Sequence, residues 1–91
     1  MRRQVGESLV IGAYRLTVES IAHGYAAVLR FEDAAFDHST DIEFVKGEPQ
    51  AVADQLEVRI VDFKEKAIRI AWACPRKWRC YRAENERKSD T

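Results

Sequence analysis

Two neighbouring stretches of alternating apolar and charged residues decide the fold: LEVRIVDF at positions 56–63 and AIRIAW at positions 67–72. In the first stretch, apolar side chains at 56, 58 and 60 alternate with Glu57 and Arg59, and in the second Ile68 and Ile70 flank Arg69. A period of two places apolar side chains on one face of a β-strand and charged side chains on the other. The two stretches, joined by a turn over 62–66, therefore predict an antiparallel hairpin with one buried face.

A second hairpin is predicted nearer the N-terminus. Strand-like runs over 14–22 and 25–31 flank His23-Gly24, where the glycine supplies the positive φ that a tight turn requires. Ile21 falls out of phase with the apolar residues before it, which predicts a β-bulge near Glu19-Ser20.

The remaining segments are assigned by their turn formers and composition. Pro75 ends the strand before it, because proline lacks the donor that a β-ladder needs. We expect short strands over 8–11 and 78–81, a loop over 32–50 with one short strand over 42–45, a turn of helix over 51–55 and a short polar helix over 83–88. The sequence thus predicts one mostly β domain over 1–91.

Composition excludes several classes of protein. With 91 residues, 46% hydrophobic and 33% charged, the chain is typical of one compact domain. No apolar run approaches the roughly 18 residues of a transmembrane helix, and the first residues do not resemble a signal peptide, so a cytoplasmic location is expected. Cys74 and Cys80 form neither a disulfide framework nor a zinc site of known spacing. Reduced thiols, and no metal or other cofactor, are expected.

The charges are segregated along the chain although they sum to zero. Residues 76–88 contain six basic and two acidic side chains, a net charge of +4. Residues 32–48 contain six acidic side chains and one lysine, a net charge of −5. A basic C-terminal segment indicates a surface that faces a polyanion, or a merely solvated face.

Three motifs carry a resemblance to a known family. RQVGESLVIG at 3–12, AIRIAWACP at 67–75 and CYRAE at 80–84 are similar to three motifs of the carbon storage regulator (CsrA/RsmA) family: its opening signature, its Q-V-R-I-G-V-N-A-P motif, and the V-H-R-E-E that ends the last strand and starts the helix. The match runs without a gap over 54–84. It implies a small homodimer of interleaved five-stranded β-sheet chains, each ending in a short helix.

The resemblance also implies a function. Members of the family bind GGA-containing loops near ribosome-binding sites of mRNA, and also small regulatory RNAs, and so modulate translation or mRNA stability. Their RNA sites lie where the first strand of one subunit meets the last strand of the other. The matched positions here are Arg82, Tyr81, Cys80 and Ala83 in the last strand and Met1, Arg2, Arg3 and Gln4 in the first.

Three departures from the family pattern concern the first strand, the middle of the chain and the terminal helix. The first strand is shortened, and Gln4 replaces a basic residue. Residues 13–53 have no counterpart, and we interpret them as an inserted or duplicated hairpin with an acidic linker, since 14–31 is similar to the hairpin at 56–72. The terminal helix lacks the apolar residues that the family buries.

The same sequence features also allow a function other than RNA binding. Near-zero net charge and the shortened first strand favour a protein-interaction module that pairs with a family member as a heterodimer, or with another partner, and has lost most RNA affinity. No catalytic residues are predicted, because His23 and His38 lack a spaced nucleophile or ligand set. Trp72 and Trp78 are expected to pack in the core or a dimer interface instead of stacking on bases.

Overall fold

A computed structural model describes residues 1–22, 24–33, 38–64 and 66–83 of the chain. Within these ranges the chain forms nine β-strands. The strands are β1 (Arg2–Gln4), β2 (Ser8–Ile11), β3 (Tyr14–Ala22), β4 (Ala26–Asp33), β5 (His38–Val45), β6 (Gln50–Ala53), β7 (Leu56–Lys64), β8 (Ala67–Ala73) and β9 (Cys80–Arg82).

Two antiparallel sheets enclose one core. Sheet I has the order β1-β8-β7-β6, and sheet II has the order β5-β4-β3-β2-β9. A single cluster of buried side chains draws on both sheets, so that the sheets stabilise each other by burying apolar surface. Its members are Leu9, Ile11, Leu16, Val18, Ala27, Leu29, Phe31, Phe44, Leu56, Val58, Ile60, Ile68 and Ile70.

The two hairpins predicted from the sequence are confirmed. The strand over 14–22 has the predicted bounds, and its register against β4 shifts between Val18 and Ser20, which confirms the bulge. The hairpin of β7 and β8 has the predicted alternation and a second register shift, between Ile60 and Asp62. Alternation therefore located these strands because each has one face in the core and one in solvent.

The predicted structure of the middle of the chain was wrong in two places. Residues 32–50 are not mainly loop, because β4 continues to Asp33 and β5 covers His38–Val45. Residues 51–55 form no helical turn: β6 occupies Gln50–Ala53, and Gln55 has a φ of 64° in the turn that follows. Pairing with neighbouring strands overrides the helix propensity of alanine in this segment.

Near the C-terminus, the sequence predicted one strand and one helix. The strand expected over 78–81 begins later, at Cys80, and ends at Arg82. The helix expected over 83–88 falls outside the described residues, apart from Ala83.

The first eight strands comprise two equivalent sets of four, β1–β4 and β5–β8. Replacing each strand of sheet I by its counterpart in the other set converts the order β1-β8-β7-β6 into β5-β4-β3-β2, which is sheet II without β9. In each sheet the outer strand, β1 or β5, comes from the opposite set. The topology therefore has an internal two-fold relation in which the sets exchange their first strands.

The equivalence extends to strand lengths, bulges and hydrogen bonds. β2 and β6 have four residues each, β3 and β7 have nine, and both pairs are offset by 42 positions. The two bulges, which follow Val18 and Ile60, share that offset. The Gly6 amide donates to the Val18 carbonyl oxygen and the Gly47 amide to the Ile60 carbonyl oxygen, each over 2.8 Å. The φ angles of Gly6 and Gly47 are 90° and 80°, so both turns use a conformation that favours glycine.

The packing of β5, of which the sequence predicted only 42–45 as a strand, is tested at its buried aromatic residue. Phe44 in β5 is 0% exposed, so Phe44→Ala should lower the free energy of unfolding by about 3–5 kcal/mol by leaving a cavity. The neighbouring Val45 is 36% exposed, and Val45→Ala should cost far less. Urea denaturation of both variants measures the difference. Equal small losses would show that β5 does not pack as described.

Candidate nucleic-acid interface

Two edge strands carry the predicted site residues. β1 is the outer strand of sheet I beside β8, and β9 is the outer strand of sheet II beside β2. The Met1 amino group donates a hydrogen bond to the Ile70 carbonyl oxygen over 2.9 Å. Burial lowers the pKa of this amino group, and the positive charges of Arg69, Arg82 and Arg3 lower it further. Arg3 Nη1 donates to the Ser8 carbonyl oxygen, and the next residue, Leu9, is the register partner of Arg82, so the start of β1 and the end of β9 both adjoin β2.

Arg3 is enclosed between the two sheets and is only 3% exposed. Its Nε donates to the carbonyl oxygen of Arg2 over 2.8 Å, and its Nη1 donates to the carbonyl oxygen of Ser8 over 3.2 Å. Glu7 lies 4.0 Å from the same guanidinium. A charged group buried in this way needs such partners. The guanidinium therefore joins β1 to β2, which favours a structural role for Arg3 over the predicted RNA contact.

Arg2 faces a second arginine across the β-ladder. Arg2 and Arg69 are direct register partners in the antiparallel pair of β1 and β8, and both are exposed. Directly opposed residues project from the same face, so the two positive charges repel. Asp62 is the partner of Arg69 on its other side, whereas Arg2 has no ion pair within the part of the chain that the structure describes.

Arg69 is the functional candidate that sequence reasoning missed. In the alternating pattern of β8 it is only the charged residue between two isoleucines. Its position beside Arg2 depends on the pairing of β1 with β8, which adjacent positions in the sequence do not reveal. The resemblance did not point to Arg69, because it implies that the first strand meets the last strand, matched here by 80–84, and not 67–75.

The three residues of β9 do not share one face. Cys80 pairs with Ile11 and Arg82 pairs with Leu9, so both project from the face of sheet II that carries the core. Tyr81 pairs with Val10 and projects from the opposite face. There it lines an open cavity of about 480 Å³. The structure thus brings Arg82 toward β1 and places Tyr81 on another surface.

The two tryptophans pack where β8 and the segment before β9 approach sheet II. Trp72 Nε1 donates to the Cys80 sulfur over 3.2 Å, and the Cys80 and Cys74 sulfurs are 3.9 Å apart. Trp78 lies against Gly12, where an added Cβ would be 3.0 Å from the ring. Both tryptophans are half-buried and pack against the core, as expected. These contacts fix the approach of the chain to β9.

Gln4 and Ala83 are the last predicted site residues. Gln4 is exposed at the edge. Its backbone N–H donates to Glu7 Oε1 over 2.7 Å, and this hydrogen bond does not occupy its side chain. Ala83 is half-buried at the end of the described chain.

The described residues offer no metal site. They contain no group of three or more His, Cys, Asp or Glu side chains that could hold a metal ion. His38 is exposed at the start of β5, and His23 lies outside the described residues. Over the same ranges, no helix has the length and apolar character needed to cross a membrane.

Comparison with protein-family models, with curated proteins and with solved structures finds no match to this chain. Assignment to the carbon storage regulators therefore stays a prediction that rests on the quoted motifs.

The two cysteines should differ in reactivity. Burial, together with the Cys80 thiol beside it, raises the pKa of the Cys74 thiol, and Cys80 is exposed. Because the thiolate is the nucleophile, iodoacetamide at pH 8 should alkylate Cys80 well before Cys74. Peptide mapping by mass spectrometry after short labelling times gives the order. Faster labelling of Cys74 would contradict the described packing around Trp72.

Proposed function

We propose that this protein is an RNA-binding post-transcriptional regulator that recognises GGA-containing loops in mRNA leaders, where it modulates translation or mRNA stability. The binding site is the edge at which β1 meets β9. The observation that carries the proposal is that Arg2 faces Arg69 in β1 and β8, while β1 is joined through Arg3 to β2, the strand that pairs with β9 and Arg82.

The chemistry of the edge fits a single-stranded RNA loop. Each outer strand has backbone donors and acceptors that its sheet does not use, and such groups can bind the exposed edges of unpaired bases. The arginines supply charge for the phosphates. A phosphate between Arg2 and Arg69 would also remove the repulsion of their opposed charges, so that RNA binding relieves an unfavourable contact in the free protein.

The acidic part of the chain lies at the other side of sheet II. β5 carries the exposed side chains of Asp41 and Glu43, and four inter-strand spacings separate β5 from β9. At about 4.8 Å per spacing this is on the order of 19 Å, or two Debye lengths at physiological salt. The acidic side chains of β5 are therefore too distant to repel RNA at the edge of β1 and β9, and they disfavour RNA binding along β5 itself.

A second candidate function is the protein-interaction module. One observation favours it: β6 (Gln50–Ala53) is the outer strand of sheet I and carries no charged residue. Uncharged outer strands are the ones to which a partner strand adds most readily. The RNA titrations below separate the two functions, because a module without RNA affinity would not distinguish a GGA hairpin from a scrambled one.

The specific site is tested at Arg82. Arg82→Ala should weaken binding to a GGA hairpin by about 1–3 kcal/mol, as expected for loss of a bidentate arginine contact. Arg59→Ala is the matched control, because Arg59 is also an exposed strand arginine but lies in β7, two strands from β1. Gel-shift titrations of both variants, with GGA and scrambled hairpins at two salt concentrations, measure the effect. Equal losses for both variants and both hairpins would leave only general electrostatic attraction.

The repulsion between Arg2 and Arg69 provides an independent test. Arg2→Thr should weaken RNA binding and, at the same time, leave the free energy of unfolding unchanged or raise it by about 0.2–1 kcal/mol, since one of two opposed like charges is removed. Chemical denaturation and RNA titration of the same variant give the two values. A variant that loses stability and keeps its RNA affinity would show that Arg2 serves the fold alone.

A further inference from the structure

We propose that one chain contains both halves of a two-fold RNA-binding unit and that only one of its two equivalent ends is a binding site, so that a monomer binds a single RNA loop. The count of RNA sites rests on the function proposed above, whereas the single-chain architecture does not.

The exchange of first strands makes each half depend on the other. β5 completes the sheet of the first set and buries Phe44 in it, and β1 completes the sheet of the second set at Ile68. Both exchanges take place within one chain, so neither sheet needs a strand from a second molecule to reach four strands. The homodimer expected from the resemblance therefore has an intrachain counterpart here, built from residues that sequence analysis treated as an insertion.

The two ends of the molecule share the same strand pairing, although β5 is longer than β1, and they differ in charge. The equivalent glycines, Gly6 and Gly47, are 41 positions apart, so Arg2 corresponds to Glu43, and register pairs Arg2 with Arg69 at one end and Glu43 with Val28 at the other. Two opposed arginines at one end thus correspond to a glutamate and a valine at the other. The buried guanidinium of Arg3 likewise corresponds to the buried ring of Phe44. The end at β5 offers no positive charge at these positions to a phosphate.

The strand that completes the basic end has no counterpart at the other end. β9 lies beside β2, and the equivalent position beside β6 is empty within the described ranges. Within those ranges, no residue equivalent to Arg82 lies beside β6. Charge and completeness both restrict RNA binding to the edge of β1 and β9.

A protein with one site cannot bridge two loops of the same RNA. An RNA with two GGA hairpins should bind two independent chains, each with the affinity measured for a single hairpin. A protein with two sites would gain avidity from the same RNA, typically a factor of 10² or more when the spacing allows both contacts. The difference is large enough to identify the number of sites.

Native mass spectrometry of the whole protein, alone and with one-hairpin and two-hairpin RNA, tests both parts of the proposal. The free protein should have the 10.5 kDa mass of one chain, and the one-hairpin complex should contain one chain and one RNA. Free protein that is dimeric at tens of micromolar would overturn the single-chain architecture. Two RNAs on one chain, or a gain of affinity for the two-hairpin RNA, would overturn the single site.

Two variants complete the test. Arg82→Ala should weaken the specific RNA complex by about 5- to 150-fold, and a specific complex of unchanged affinity would reveal a second site. Glu43→Ala, which removes the carboxylate at the other end, should leave the count at one RNA, and a second bound RNA would overturn the assignment. A monomer that binds no hairpin would refute the proposed RNA function and still support the single-chain architecture.

Discussion

The exchange of β1 and β5 between the two sheets is the constraint on which the rest of the structure depends. Each of these strands leaves its own set and completes the other sheet, so the core between the sheets closes only when both exchanges are made. Met1 and Ile70, which are 69 positions apart, share a hydrogen bond as a result. Such non-local pairing makes the chain one cooperative unit and predicts slower folding than in a meander of adjacent hairpins.

The sequence predicted the strands that have one face in the core, because alternation records that environment in β3, β7 and β8. It predicted only 42–45 of β5 and missed β6, where few side chains are buried: in β5 only Phe44 is fully enclosed, and the other positions are mostly polar and exposed. Propensity then favoured a loop and a helical turn. The sequence indicates a likeness between 14–31 and 56–72. The 42-position offset of β2 from β6 and of β3 from β7 depends on strand order and bulges, which only the structure shows.

The candidate site was predictable in part for a similar reason. Motif likeness selected Arg82 and the first residues of the chain, and the structure places both beside β2, Arg82 by pairing with Leu9 and β1 through the hydrogen bond from Arg3 to Ser8. The roles of Arg2 and Arg3 could not be separated by motif, because alternation turns Arg3 into the core and Arg2 outward only after β1 has paired with β8. Arg69 escaped notice because its importance comes from the residue opposite. The net charge of the chain did not indicate the site either, because basic side chains at one end of the molecule are offset by acidic side chains at the other.

The internal two-fold relation has a consequence for how the molecule can evolve. In a symmetric pair of identical subunits, every substitution appears twice, so a change that improves one end alters the other in the same way. Here the corresponding positions are encoded separately, and they differ: Arg2 and Arg69 at one end, Glu43 and Val28 at the other. A single chain that contains both halves can therefore specialise one end while the other acquires a different surface, a freedom that a gene encoding only one half does not have.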